Sequence, residues 1–143
     1  MPWVSVPVPE EHVQEVMEFV IRTIARASLQ DWDDDSMETF FAKCDEPSRA
    51  LISVVARAAN AGKDLTDQMA ADFIELTVRE MYGLQREVNE EARRDERPAL
   101  IIASTIEEPL PNGRFREKRV LTMSVQVAKL VREAERTVEA ART

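Results

Sequence analysis

At 143 residues, with 44% hydrophobic and 32% charged side chains, the chain is long enough to bury one core and too short for two independent ones. That composition excludes a disordered chain, and no apolar run approaches the roughly 20 residues that span a bilayer. The formal charge of −8 excludes a protein that coats nucleic acid through a bulk positive field. The charge is unevenly placed. Residues 1–78 carry 15 acidic and 6 basic side chains, residues 79–119 carry 9 of each, and the remainder carries 3 acidic and 4 basic. A basic face is therefore still available in the middle of the chain, because salt screens charges lying beyond about 8–10 Å.

Residues 1–9 have neither a basic n-region nor a long apolar h-region, so a cytoplasmic protein is the expectation. Trp3, Val4, Val6 and Val8, interrupted by three prolines, read as an extended arm. Pro9 opens a first helix, with Val13, Val16, Met17, Val20 and Ile24 at helical spacing. The acidic run from Asp31 to Asp35 invites a calcium loop, but Ser36 and Ala42 stand where that loop requires glycine and glutamate. Instead, Asp35 and Glu38 have capping-box spacing ahead of a second helix bearing Met37, Phe40, Phe41 and Cys44 on one face. The single cysteine excludes an internal disulfide, and its neighbours point to packing rather than redox chemistry.

Pro47 starts a third helix, with Leu51, Ile52, Val55, Ala58 and Ala59 inward and Gly62 as its left-handed stop. Thr66 caps a fourth, whose inner face is read as Met69, Ala70, Phe73 and Leu76. Thr77 and Glu80 form a capping box that opens a fifth helix almost at once. There Val78, Met81, Val88 and Ala92 face inward, while Arg79, Arg86, Arg93 and Arg97 recur within a narrow arc. Tyr82, Gly83 and Asn89 flank this basic stripe, offering a ring for stacking, a close backbone approach and an amide suited to adenine. Glu90 lies on the same arc, and charge pairs such as Glu90 with Arg94 are what an ordinary solvated face also carries.

After Pro98 the pattern becomes strand-like, and Pro109-Leu110-Pro111-Asn112-Gly113 is a turn between two strands. Arg114, Arg116 and Lys118 alternate on the return strand, placing three cations on one strand face near the tip. Such cations suit phosphates, and they also protect an exposed edge. Ser124 caps a last helix with Val127, Leu130, Val131, Ala134, Val138 and Ala141 along one side, a seam for a second subunit or for the chain itself.

Enzyme chemistry is thinly provided for. His12 is the only histidine and has no evident partner, no glycine-rich phosphate loop exists, and no Cys/His set is present for zinc. No catalytic residue, metal or cofactor is expected, and the chain reads as no enzyme.

The segments "PSRALISVVARAANAGKDLTDQMAADFIEL", "TVREMYGLQREVNEEARR" and "LIIASTIEEPLPNGRFREKRVLTM" resemble, in order and pattern, the winged helix-turn-helix superfamily of DNA-binding domains. Together with the N-terminal "VPVPEEHVQEVMEFV" and the closing helix, the layout is similar to small bacterial or phage winged-helix proteins. The resemblance implies a mainly α protein with a β-hairpin (α+β), a single domain over 1–143. Its parts are an arm (1–9), N-terminal helices (10–46), a winged-helix core (47–123) and a C-terminal helix (124–143). It also implies a transcriptional regulator that binds double-stranded DNA, with Arg79, Tyr82, Arg86, Asn89 and Arg93 as the reading face, and a homodimer joined by the arm and the terminal helix would present two such faces to adjacent half-sites. Arg97 extends the helical stripe, and Arg114, Arg116 and Lys118 form the wing. The alternative is a protein-interaction module or adaptor of the same fold, docking through the acidic N-terminal half.

Overall fold

The structure is a computed structural model and describes residues 30–142. The expected arm, the helix opened by Pro9, and His12 lie outside the described residues. All elements below belong to the compact unit Asp31–Thr143.

Helix α1 (Asp34–Lys43) is capped by Asp33, whose carboxylate accepts from the Ser36 amide at 2.7 Å while the Ser36 hydroxyl accepts from the Asp33 amide at 2.9 Å. This box lies two residues before the expected Asp35/Glu38 pair, because a serine at the third helical position replaces the glutamate that the spacing rule looks for. The Ser36 amide on its carboxylate also holds Asp33 below its ordinary pKa of 3.8. Met37, Phe40 and Phe41 are buried along the inner side of α1.

Helix α2 (Glu46–Ala61) starts at the Asp45 cap with Pro47 in its first turn, and buries Leu51, Ile52, Val54 and Val55. It stops at Gly62, where φ is +65°: Lys63 N–H reaches back to the Ala58 carbonyl at 3.0 Å and Gly62 N–H to Ala59 at 3.2 Å. A two-residue strand, β1 (Leu65–Thr66), follows, and Thr66 caps helix α3 (Asp67–Phe73) by accepting from the Met69 amide at 3.2 Å.

The facing of α3 differs from the expected one. Ala70 and Ala71 are its buried residues, whereas Met69 and Phe73 are 55% and 56% exposed. In seven residues the periodicity is too short to fix a face, and the two alanines allow the closest approach of backbones. The chain then reverses through Glu75 at φ +59°, with Leu76 N–H donating to the Ala71 carbonyl at 3.0 Å. This is the left-handed helix stop that glycine usually provides.

Helix α4 (Val78–Arg94) opens with the expected box: Glu80 N–H donates to Thr77 Oγ1 at 3.1 Å, and Thr77 N–H donates to Glu80 Oε1 at 3.2 Å. Met81, Leu84, Val88 and Ala92 are buried. The helix ends three residues before Arg97, because Glu96 turns left-handed at φ +59° and Arg97 N–H closes on the Ala92 carbonyl at 2.9 Å.

Strands β2 (Ile102–Pro109) and β3 (Phe115–Thr122) form the expected hairpin, pairing antiparallel from Ile102–Thr122 to Pro109–Phe115. Its tip is a three-residue loop in which Gly113 N–H donates to the Leu110 carbonyl at 3.1 Å and Leu110 N–H to the Arg114 carbonyl at 2.7 Å. Gly113 has φ +81°, the left-handed residue that follows such a turn, and Asn112 Oδ1 accepts from the Arg114 amide at 3.0 Å. Strand β1 joins the other edge of β3, Leu65 opposite Leu121, so the sheet order is β1-β3-β2.

Helix α5 (Val125–Arg142) packs on α1 and α2, burying Ala128, Val131 and Ala134. Of the expected seam, Val131 and Ala134 are thus buried within the chain, Val127, Leu130 and Val138 are half-buried, and Ala141 is exposed. The architecture is mainly helical with one small three-stranded antiparallel sheet, an α+β arrangement. Among the described residues, no helix is long and apolar enough to cross a membrane.

Candidate nucleic-acid interface

Helix α4 turns Met81, Leu84 and Val88 into the core, and this fixes what its other side presents. Residues seven apart fall within about 20° of one another at 3.6 residues per turn, so Arg79, Arg86 and Arg93 share an arc of about 40° spread over roughly 21 Å of helix. All three are exposed, and their guanidinium groups enter no hydrogen bond or ion pair among the described residues. Glu90 falls on the same arc and is also exposed. Arg79, Arg86 and Arg93 thus lie exposed along one side of α4.

The other expected members of the stripe are placed differently. Arg97 lies beyond the end of α4, and its guanidinium donates to the Asp31 carbonyl, while Trp32 Nε1 donates to Pro98 O at 3.2 Å nearby. Both bonds tie the start of the described chain to the segment after α4. Asn89 is turned inward. Its Oδ1 accepts from the Leu100 and Ile101 amides, each at 3.0 Å, and its Nδ2 donates to the Ile101 carbonyl at 2.8 Å. Gln85 Nε2 donates to the same carbonyl at 3.0 Å. An amide so occupied has no edge left for adenine.

Tyr82 is partly buried against the core, and its hydroxyl donates to Asp67 Oδ2 at 3.0 Å on α3. Burial, then the hydrogen bond to Asp67, raises its phenol above the ordinary value of 10, and the nearby Arg119 guanidinium pulls the other way. Tyr82 thus joins α4 to α3. Arg119 and Asp67 carry no special spacing in the sequence, so only the fold reveals this junction.

The register divides the hairpin's charges by face. Arg116 and Lys118 both pair with Glu108 across the strands, at 3.3 and 3.5 Å. Of the three expected wing cations, only Arg114 has a side chain without an ion pair among the described residues. Strand alternation puts Arg114, Arg116 and Lys118 on one face, and Phe115, Glu117, Arg119 and Leu121 on the other. The second face is the one that meets the helices, through buried Leu121 and through Arg119 at Tyr82. The three cations therefore project from the strand face opposite to Leu121.

Comparison with protein-family models, with curated proteins and with solved structures finds no match to this chain. Chemistry elsewhere in the described residues is sparse. Cys44 is partly buried against the core, and desolvation pushes its thiol up to about 11, which leaves it a weak nucleophile at neutral pH. It borders a cleft of about 610 Å³ in which Lys43 and Arg94 mix with Asp45, Glu87, Glu90 and Glu91. Among the described residues, no group of three His, Cys, Asp or Glu side chains is placed to hold a metal ion.

Proposed function

We propose that residues 47–123 are a winged helix-turn-helix and that the chain binds double-stranded DNA as a transcriptional regulator. The fold assignment is supported by the order α2, β1, α3, α4, hairpin, with a short strand ahead of the helix pair joining the return strand of the wing in the sheet order β1-β3-β2. The DNA assignment rests on one observation above the others: three exposed, unpaired arginines on one narrow arc of the second helix of the pair. Such a helix fits the major groove, about 12 Å wide, and guanidinium groups suit both phosphates and guanine edges. Arg114 at the wing tip adds a cation. The acidity of the remaining chain works against binding at low salt and is screened at physiological ionic strength.

The test is fluorescence anisotropy on a labelled random-sequence 24-bp duplex across a salt series. Replacing Arg79, Arg86 and Arg93 together by alanine is expected to reduce the slope of log K against log salt by about 2.7, and to weaken binding at low salt by roughly a hundredfold. Circular dichroism should stay unchanged, since none of the three is buried. A protein-interaction module is the second reading, favoured by exposed Met69 and Phe73 four residues apart on α3. Under it, the wild-type chain does not bind the duplex.

A further inference from the structure

Phe115 is the most exposed large apolar side chain among the described residues, at 66%. It stands at the first position of β3, opposite Pro109, on the side of the hairpin that also carries Arg119. The backbone that presents it is tightly built. The loop is closed by the Leu110–Arg114 and Gly113–Leu110 hydrogen bonds, Asn112 braces the Arg114 amide, and Pro109 and Pro111 fix two further φ angles. A ring held out on such a tip loses little freedom when it binds.

Phe115 and Arg119 are four positions apart, so their Cα atoms lie about 13 Å apart along the strand, with Arg119 near Tyr82 of α4. That length is comparable with the roughly 12 Å width of the major groove, so a hairpin beside a helix seated in that groove has the length to reach the adjoining minor groove, about 6 Å wide. Arg114 and Arg116, on either side of Phe115 in sequence, project from the opposite strand face. Glu107 and Glu117 face each other directly one step below the tip, and both are exposed. Their charge keeps this face of the hairpin from lying flat on phosphates, and confines close contact to the tip itself.

We propose that Phe115 is a wedge that enters the minor groove and partly unstacks one base step, with Arg114, whose side chain has no ion pair among the described residues, reaching a flanking phosphate. The inference rests on the DNA-binding reading. One aromatic ring matches what a single base step accepts, since wedges of this kind act by opening one step at a time. A lone ring is a poor membrane anchor by comparison, because even a whole acyl chain binds bilayers only marginally.

The experiment uses the full chain and a 24-bp duplex of alternating T·A steps carrying 2-aminopurine, with a G·C-only duplex beside it. T·A steps unstack most readily, so the wild type should brighten 2-aminopurine and prefer this duplex. Phe115→Ala should abolish the brightening and lower affinity for the T·A duplex about tenfold while leaving the salt slope unchanged. Phe115→Trp should keep both, and Arg114→Ala should lower the slope by about 0.9 with brightening retained. If Phe115→Ala binds and brightens as the wild type does, the wedge is overturned and DNA binding stands. If the wild type binds neither duplex, both fall. Binding to vesicles of equal phosphatidylcholine and phosphatidylglycerol in preference to both duplexes would overturn the wedge in favour of a lipid contact.

Discussion

Asn89→Ala is expected to destabilise the protein by about 3 kcal/mol, a large share of the roughly 5–15 kcal/mol that holds a domain of this size folded. The cause is local. Leu100 and Ile101 are 1% and 0% exposed, and their two amides find their acceptor in the single oxygen of Asn89. Alanine removes that acceptor and leaves two buried N–H groups without a partner, which costs far more than one average hydrogen bond contributes. The Ile101 carbonyl keeps Gln85 and is less affected. Asn89→Asp should fall between wild type and alanine, since a carboxylate accepts from both amides but cannot donate to the carbonyl. Urea unfolding followed by circular dichroism measures both. An Asn89 that only reads bases would leave the midpoint unmoved.

Phe40→Ala is expected to cost about 4 kcal/mol, the range found when a large aromatic is removed from a packed interior. Phe40 is 1% exposed, with the Trp32 ring edge-on at 5.1 Å and 68°, and the Lys43 ammonium 5.5 Å from its centre. The loss combines transfer, cavity and the directional ring contact, and the last alone contributes about 1 kcal/mol. Trp32 is also held by Pro98, so a cavity at Phe40 loosens the junction between the start of α1 and the segment after α4. Phe40→Leu should cost distinctly less, because it refills most of the volume. The same urea titration separates the two variants, and equal midpoints for Phe40→Ala and wild type would contradict the packing described.

Much of the helical layout is legible in the sequence because its punctuation is local. Pro47, Gly62, Thr66 and the Thr77/Glu80 box each act within one turn of where they stand, and the helices begin and end accordingly. The Pro111-Asn112-Gly113 tip is legible for the same reason. What escapes is what depends on distant partners. Strand β1 is two residues long and exists through pairing with Leu121 and Val120. The left-handed stops at Glu75 and Glu96 carry no glycine to announce them, which is why the basic stripe reads as though it ran on to Arg97.

The candidate surface divides in the same way. Arg79, Arg86 and Arg93 follow from helical spacing alone, whereas the inward turn of Asn89 depends on amides 11 and 12 residues away. Glu108 neutralises Arg116 and Lys118 through strand register that no local pattern specifies. Phe115 reads from the sequence as an ordinary strand residue, and its exposure follows only from its position at the tip, beyond the reach of the core.

The most direct test of the central claim is to map amide chemical-shift changes in the full, ¹⁵N-labelled chain as a random-sequence 24-bp duplex is added at low salt. Shifts concentrated at Arg79, Arg86 and Arg93 and at Arg114 and Phe115 are the predicted result, diminishing as salt is raised. A spectrum unchanged by the duplex, or shifts confined to α1 and α5 with the α4 arginines silent, would contradict it.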